Sequence, residues 1–140
     1  RQFFLHFYSI FEKIFEKIIN REIPAEIVWE DEDHLAFLDI NPIQPGHTLV
    51  IPKKQISSVF EMENEAYSAL FLAAKKVSQS LKKATGAKRI GLIVEGLEID
   101  HAHIHLVPIN EMGDLRKPGV KADSKQLKDM AAAIRKEIIK

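Results

Sequence analysis

Three histidines alternate with apolar residues in the stretch DHAHIHLVP, residues 100–108. Residues two positions apart on a β-strand point to the same face, so we expect His101, His103 and His105 to line one side of a strand. The first and third then lie about 13 Å apart along the backbone. Such a row is open to three interpretations: a metal site, a catalytic site or a polar strand face.

Imidazole chemistry favours the catalytic interpretation. Zinc holds histidine nitrogens at about 2.0–2.1 Å, so one ion takes two neighbours of this row but hardly all three. The chain also has no cysteine and no H-E-x-x-H helix, so we expect no metal. A neutral imidazole attacks with one nitrogen while the other donates a hydrogen bond that fixes the tautomer. Attack on phosphorus gives a P–N bond that water can break. The row therefore predicts His103 as the nucleophile, with His101 and His105 as helpers.

The composition is that of one globular domain. The chain has 140 residues, of which 46% are hydrophobic and 29% charged, enough to bury about two thirds of its unfolded surface. Twenty basic and twenty acidic residues give a net charge of zero, which disfavours nucleic acid as a partner. The absence of cysteine excludes disulfides and is typical of a reducing compartment. The apolar stretch RQFFLHFYSIF is too short to span a bilayer, so we expect a cytoplasmic protein without a membrane partner.

The first half of the chain alternates helix, strand and turn signals. Residues 10–18, IFEKIFEKI, repeat apolar residues at helical spacing and predict a short helix that Pro24 ends. Two strands, residues 26–30 and 34–38, flank an acidic turn and form a hairpin. The loop DINPIQPG then precedes a third strand over residues 47–52.

The second half supplies a long helix, two strands and a final helix. Apolar residues at helical spacing predict a helix over residues 61–84, which Gly86 stops. Strands follow over residues 89–94 and 101–108, and Ser124 is predicted to cap a last helix that runs to about Ile139. Short links and few crossovers favour the α+β class, with an antiparallel sheet of about five strands rather than a doubly wound parallel one.

Taken together, these motifs resemble the histidine triad (HIT) superfamily of nucleotide hydrolases and transferases. Its signature is H-x-H-x-H with apolar residues between and after the histidines, and HAHIHLVP matches it. The likeness extends from IFEKIINREIPAEIVWEDE through LAFLDINPIQPGHTLVIPKK, across roughly residues 14–110. The resemblance implies one HIT-like domain over residues 1–140, with residues 1–9 as an extension and residues 123–139 as a C-terminal helix. Within the superfamily, the chain looks most like the nucleoside phosphoramidase branch.

The resemblance also implies an activity. A purine nucleotide would bind beside the triad of a homodimer, and His103 would be transiently nucleotidylated, with no cofactor required. Substrates would be nucleoside monophosphate derivatives, either purine nucleoside phosphoramidates or dinucleoside polyphosphates. The alternative is a nucleotide-binding or interaction module that does little chemistry.

Further site residues follow from the same resemblance. His105 matches the histidine that contacts the phosphate, His101 the one that helps to order the site, and His47 a fourth histidine near the phosphate. Asp39 matches the aspartate that holds the ribose hydroxyls. The residues alone leave other readings open, since His47 is equally an exposed histidine at a strand start and Asp39 equally a cap of the following loop. The matched apolar walls around base and sugar, which patterning alone would assign to the core, are Ile14, Phe15, Ile18, Phe37, Leu38 and Ile40.

One segment departs from the family pattern. Much of the superfamily carries a glycine-glutamine-serine or threonine segment before the triad, where this chain has EGLEID, residues 95–100. Ionised Glu98 and Asp100 cannot donate hydrogen bonds to a phosphate. We expect Glu98 to point outward, and two alternatives stay open for Asp100, which either points outward as well or orients His101 or another imidazole. The backbone N–H groups around Gly96 remain able to bind phosphate oxygens.

Overall fold

The first helix brings aromatic and aliphatic side chains under the site. In the computed structural model, which describes residues 13–138, helix α1 spans Ile14–Ile19 and buries Phe15 and Ile18. The first residues of the predicted helix, Ile10 and Phe11, lie outside the described residues.

The end of α1 differs from the prediction. The helix stops at Ile19, five residues before Pro24, and Asn20 already departs from helical geometry with a ψ of 3°. Arg21 then adopts a left-handed backbone with a φ of 63°, which turns the chain away from the helix axis. A local backbone turn, and not the proline, ends the helix.

Five strands form one antiparallel sheet. They span Ile27–Glu30 (β1), His34–Leu38 (β2), Thr48–Pro52 (β3), Arg89–Ile93 (β4) and Ile104–Ile109 (β5). Their order across the sheet is β1-β2-β3-β5-β4, and every neighbouring pair is antiparallel. The predicted α+β class with about five antiparallel strands is therefore confirmed.

The strand that carries the triad begins later than predicted. β5 starts at Ile104, so His101 and His103 precede it and only His105 lies within it. The preceding segment is extended but bonds elsewhere: the N–H of Ala102 donates to the carbonyl of Ile56 at 2.7 Å, outside the regular β3–β5 ladder. The alternation of faces nevertheless extends through it, because Ala102 and Ile104 both lie in the main core.

The long helix α2, Asn64–Thr85, covers one face of the sheet. Gly86 ends it as predicted, with a left-handed φ of 70° and an N–H that donates to the carbonyl of Lys82. The helix begins three residues later than predicted, because residues 59–61 form a separate 3-10 turn. Its buried side pairs with inward residues of β3 and β5 in one core that contains Leu70, Ala73, Ala74, Val77, Leu81, Val50, Ile104 and Leu106.

The last helix, α3, spans Ser124–Ile138 and buries Ala131 and Ile134. Ser124 does not cap it. The Asp123 carboxylate accepts a hydrogen bond from the N–H of Gln126 at 2.8 Å, and the Gln126 side-chain oxygen accepts one from the N–H of Asp123 at 3.0 Å. This reciprocal capping box satisfies two backbone donors at once, which a serine one position later cannot do.

Both long helices are amphipathic, with charged residues such as Lys75 and Lys76 of α2 exposed to solvent. Across residues 13–138, no helix has both the length and the apolar character that crossing a bilayer requires.

Replacing Asp123 with alanine should therefore lower the free energy of unfolding by about 1 kcal/mol, a typical cost of losing an N-cap acceptor. Urea unfolding followed by circular dichroism measures the change. Ser124→Ala is the matched control and should change stability by less than about 0.5 kcal/mol. A larger loss for Ser124→Ala than for Asp123→Ala would contradict the capping box.

Candidate active site

The loop between β2 and β3 folds around the His47 imidazole. The N–H of Ile43 donates to Nδ1 of His47 at 3.0 Å, and the N–H of His47 donates to the carbonyl of Gln44 at 3.0 Å. The loop closes where the N–H of Asp39 donates to the carbonyl of His47. His47 is 2% exposed, so the alternative of a solvent-exposed histidine at a strand start is wrong.

His47 and His105 form a hydrogen-bonded pair. Because Nδ1 of His47 accepts from a backbone N–H, its single proton lies on Nε2, which donates to Nδ1 of His105 at 2.9 Å. The proton of His105 is therefore on its Nε2. A chain of hydrogen bonds that starts at the backbone of Ile43 thus fixes both tautomers, and it leaves an N–H donor on His105 for a ligand in the site.

His103 has the opposite tautomer. Its Nδ1 donates to the carbonyl of His101 at 2.7 Å, so the proton lies on Nδ1 and the lone pair on Nε2. No protein group among residues 13–138 bonds to that Nε2. The ring is further fixed by Phe15, whose edge packs against it with centroids 5.1 Å apart. The Nδ1 atom of His101 also has no partner, but that residue is fully buried and does not line the cavity, so the central histidine is the one that offers a free lone pair there.

His101 supports the site without lining it. Its Nε2 donates to the carbonyl of Pro52 at 2.7 Å, and the residue is fully buried. Phe15 contacts this ring as well, at a centroid distance of 5.7 Å. Asp100 does not orient an imidazole as proposed, since no hydrogen bond within the described residues joins its carboxylate to a histidine; its carbonyl accepts from Gln55 instead.

All four imidazoles are held in the neutral form at pH 7. Burial lowers the pKa of His103, against the hydrogen bond to His101 and the charge of Asp39. Burial likewise lowers the pKa of His47, although Asp39 opposes it, and lowers that of His101. For His105, burial together with the neighbouring His103 and His47 lowers the pKa to about 4.

A cavity of about 650 Å³ opens beside these rings. His47, His103 and His105 line it, whereas His101 does not. Asp39 lies at the same cavity, and its Oδ2 is 3.7 Å from Nε2 of His47. The other Asp39 oxygen accepts from the N–H of Asn41 at 2.8 Å, so this residue both caps the loop and faces the cavity. The six predicted apolar residues all line it: Ile14, Phe15, Ile18, Phe37, Leu38 and Ile40.

Sequence reasoning missed several lining residues. Gly119 reaches the cavity because residues 119–122 run along the β2–β3 loop, where Val120 donates to the carbonyl of Pro42 and Ala122 to that of Ile40. A side chain at position 119 would collide with the Asn41 backbone. Gly119 was the one signal that the sequence offered, but the glycine alone does not indicate that it contacts Asn41, which is distant in the sequence.

The acidic segment also lies at the cavity. Glu95, Gly96 and Glu98 all belong to its lining, which differs from the outward orientation that the sequence favours for Glu98. Both carboxylates are exposed to solvent. Glu95 and Glu98 therefore lie at the opening of the cavity, next to both the site and the solvent.

A second cavity of about 670 Å³ lies between the same loop and α3. Asp39 and His47 contribute to it, but no histidine of the triad does. The nucleophilic nitrogen therefore makes the triad cavity the candidate active site.

Asp39, His47 and His105 bring three potential ligand atoms within 4.8 Å of one another, and the donor chemistry of this cluster does not suit a metal. A histidine that binds a metal normally donates its other ring N–H to an acceptor. Nδ1 of His47 instead accepts from the N–H of Ile43, so a metal on Nε2 would require a doubly deprotonated ring. The expectation of a metal-free site stays a prediction, and this geometry favours it.

Comparison with known proteins gives one family. A model of the HIT domain matches residues 20–112, which include all five strands and the triad. An HIT-like protein of Methanocaldococcus jannaschii is 45% identical over 92 residues, which cover 62% of this chain and 70% of the relative. An adenylylsulfatase of Arabidopsis thaliana is 31% identical over 128 residues, which cover 84% of this chain and 64% of the relative.

Solved structures show the same similarity. A HIT-like protein from Bartonella henselae, described as involved in cell-cycle regulation, superimposes with a TM-score of 0.80 at 33% identity and covers 89% of this chain and 94% of its own. A hypothetical histidine triad nucleotide-binding protein from Sulfolobus tokodaii gives a TM-score of 0.82 at 33% identity, with coverage of 89% and 91%.

The His105 imidazole should titrate near pH 4 in the folded protein. Because its pKa in the unfolded chain is near 6.5, the unfolded state binds more protons between these values, and the free energy of unfolding should fall as the pH drops from about 6.5 to about 4. The full contribution is on the order of 3 kcal/mol. Nitrogen-15 NMR of the histidine rings measures the titration and reports whether Nε2 carries the proton.

The same spectra in denaturing urea provide the control, because every histidine should then titrate near pH 6.5. A folded-state midpoint for His105 between pH 6 and 7 would contradict the lowering of its pKa by burial and the neighbouring histidines. A proton on its Nδ1 at pH 7 would contradict the hydrogen-bond chain through His47.

Proposed function

The chain belongs to the HIT domain family, and from this membership we propose that it hydrolyses or transfers nucleoside monophosphate groups through a covalent nucleotidyl intermediate on His103. The substrates are purine nucleoside phosphoramidates or related nucleoside monophosphate derivatives. The observation that carries the proposal is the tautomer of His103, whose Nδ1–H is bound to the His101 carbonyl at 2.7 Å while Nε2 stays free beside the cavity.

In the first step, Nε2 of His103 attacks the phosphorus of a phosphoramidate. A bond forms between Nε2 and phosphorus, the bond between phosphorus and the substrate nitrogen breaks, and the leaving amine takes up one proton from solvent. The His103 ring becomes cationic because it keeps its Nδ1 proton. The His101 carbonyl then accepts a charge-assisted hydrogen bond, which is stronger than the neutral one in the free protein.

In the second step, water attacks the same phosphorus. The new P–O bond replaces the bond to Nε2, one proton returns to solvent, and a nucleoside monophosphate and neutral His103 remain. If another nucleophile replaces water, the same intermediate transfers the nucleotidyl group to it. A covalent intermediate replaces one difficult step with two easier ones, which is its usual advantage.

His105 acts in this scheme as a hydrogen-bond donor to the phosphate. With a pKa of about 4, only about one ring in a thousand is an imidazolium at pH 7, which makes His105 a poor acid for the leaving group. Its Nε2–H, fixed through His47, is instead ready to bind an equatorial phosphate oxygen.

The nucleoside is held by Asp39 and the apolar walls. Oδ1 of Asp39 caps the loop, whereas Oδ2 lies 3.7 Å from Nε2 of His47, a residue that lines the cavity, so we assign the ribose hydroxyls to Oδ2. Phe15 and Phe37, which contact each other edge to face with centroids 5.6 Å apart, provide aromatic surface toward the base.

The chemistry described above needs no cofactor. We propose that the protein acts in the cytoplasm as a homodimer and that a partner pairs along β4. The opposite edge of the sheet, β1, is occupied by α3, since Arg135 donates to the carbonyl of Ile27 at 2.7 Å. β4 is the open edge and exposes Leu92.

Incubation with adenosine 5′-phosphoramidate should give a protein adduct that carries one adenylyl group, and His103→Asn should abolish it. Turnover should fall by at least about a thousandfold, because the nucleophile is lost. Intact-mass analysis after denaturation at neutral or alkaline pH, where a P–N bond survives, measures the adduct, and nucleotide release measures turnover.

His34→Asn is the matched control, because His34 is a buried histidine that packs on Trp29 and Asp31 outside the site. It should retain both adduct and turnover. Undiminished turnover in folded His103→Asn would overturn the proposal, and nucleotide binding without any adduct or turnover in the unaltered protein would favour the alternative, a binding module.

The assignment of Asp39 to the ribose is tested by comparing ribose and 2′,3′-dideoxyribose substrates. The unaltered protein should prefer the ribose compound about 10- to 100-fold in kcat/KM, from hydrogen bonds to a charged acceptor. Asp39→Asn should reduce this preference while keeping an Oδ1 acceptor for the N–H of Asn41.

The Asn substitution thus separates the two roles of Asp39. A dideoxy compound that reacts as well as the ribose compound in the unaltered protein would remove Asp39 from the ribose and leave it only as a cap of the loop.

A further inference from the structure

The cavity at His103 carries an unusual balance of charge for a site that binds phosphate. Its lining contains three carboxylates, those of Asp39, Glu95 and Glu98. Throughout the described part of the chain, no lysine or arginine belongs to this lining. A substrate phosphate therefore meets three negative charges and no permanent positive charge.

The histidines do not supply the missing cation. His47, His103 and His105 have lowered pKa values, mainly because of burial, and are neutral at pH 7. Neutral histidines contact a substrate through N–H dipoles and a lone pair, and neither adds positive charge to the site.

Glu95 and Glu98 are close enough to the reacting atoms for their charges to matter. The pKa of His103 is lowered by burial, but the charges of Asp39, Glu95 and Glu98 all act to raise it. Within residues 13–138, neither glutamate forms an ion pair that would neutralise it. Of the three carboxylates, Asp39 caps the β2–β3 loop with Oδ1 and is assigned to the ribose with Oδ2, so Glu95 and Glu98 are the two that remain for the leaving group.

We propose that Glu95 and Glu98 determine leaving-group specificity: the site accepts nucleoside phosphoramidates whose leaving amine is cationic and disfavours anionic leaving groups such as polyphosphate or sulfate. The inference rests on the proposed function and deepens it by naming the substrate class. It also separates two classes that the triad alone leaves equal, phosphoramidates and dinucleoside polyphosphates.

Simple electrostatics sets the expected size of the effect. At a separation of about 7 Å and a dielectric close to that of water, one carboxylate changes the binding of a unit charge about threefold. Two carboxylates then favour a cationic over a neutral leaving group about tenfold, and a neutral over an anionic one by about the same factor. Salt should reduce both preferences, because the two glutamates are exposed.

The reaction itself gains from the same charges. When P–N cleavage proceeds, the leaving amine takes up a proton, and the His103 ring becomes cationic. That proton lets the reacting nitrogen leave uncharged, so Glu95 and Glu98 stabilise the one positive charge that develops, on His103, whereas an anionic leaving group would add negative charge beside them.

The test uses three adenosine 5′-phosphoramidates that differ only in the leaving amine: one with a side chain bearing an ammonium group, one with a neutral hydroxyl and one with a carboxylate. Adenosine 5′-phosphosulfate is a fourth substrate. The value of kcat/KM is measured for each at low and high salt, for the unaltered protein and for the double variant Glu95→Gln, Glu98→Gln. Glu65→Gln, an exposed residue of α2 outside the cavity, is the matched control.

We expect the cationic compound to be preferred over the anionic one by about a hundredfold at low salt. In the double variant the ratio should fall to within about threefold, and Glu65→Gln should leave it unchanged. Because each ratio compares two substrates of one protein sample, partial unfolding of a variant does not alter it.

Equal ratios in the unaltered protein and the double variant, or a preference for the carboxylate compound or the phosphosulfate, would overturn the role of the two glutamates. The proposed function would survive that result, since turnover through a His103 adduct would still be seen. Absence of adduct and turnover with all four substrates would overturn both proposals together.

Discussion

The hydrogen bond from Nδ1 of His103 to the carbonyl of His101 determines what the site is able to do. It binds the ring proton on the side away from the cavity and thereby leaves the lone pair on the other nitrogen. The acceptor is a backbone carbonyl two residues earlier in the chain, so the tautomer depends on the path of the main chain. That path is held in turn by the Ala102–Ile56 backbone bond and by the side chain of His101 on Pro52.

Burial and the hydrogen bonds together keep the imidazoles of the site neutral. Each imidazole of the site has at least one ring nitrogen hydrogen-bonded by the protein in a neutral tautomer, and burial penalises the charged form. A neutral row is what a nucleophile needs, because protonation would remove the lone pair of His103. The α1 helix contributes directly, since Phe15 packs edge to face against both His101 and His103. Short as it is, this helix forms part of the candidate active site as well as of the core.

The sequence predicted most of the fold because strong local signals agree with it. Alternating and helical apolar patterns located all five strands and the long helix, and Gly86 stopped that helix through a backbone conformation that glycine favours. The errors fall where a single local feature decides the outcome: the left-handed φ of Arg21 ends α1, the Asp123 side chain caps α3, and the Ala102–Ile56 backbone hydrogen bond holds the chain outside β5 before Ile104. The triad was predictable from its spacing, whereas the tautomers were not. They depend on exact hydrogen-bond geometry, and for His101 and His105 on partners far away in the sequence, Pro52 and His47.

The three acidic residues of the cavity, Asp39, Glu95 and Glu98, oppose the binding of a phosphate but agree with the reaction that we propose. In the proposed mechanism, attack by neutral His103 creates a cationic ring, so positive charge that was absent from the free protein appears at the nucleophile in the transition state. Interactions that strengthen only at that stage raise the rate, while equal attraction for substrate and transition state does not. Asp39, Glu95 and Glu98 all favour a cationic His103. Lysine or arginine in their place would bind the ground-state phosphate more tightly and oppose the charge that forms on the ring. In the same proposed mechanism, the neutral N–H of His105 avoids this conflict, because it would bind a phosphate oxygen without placing a second cation beside the nucleophile.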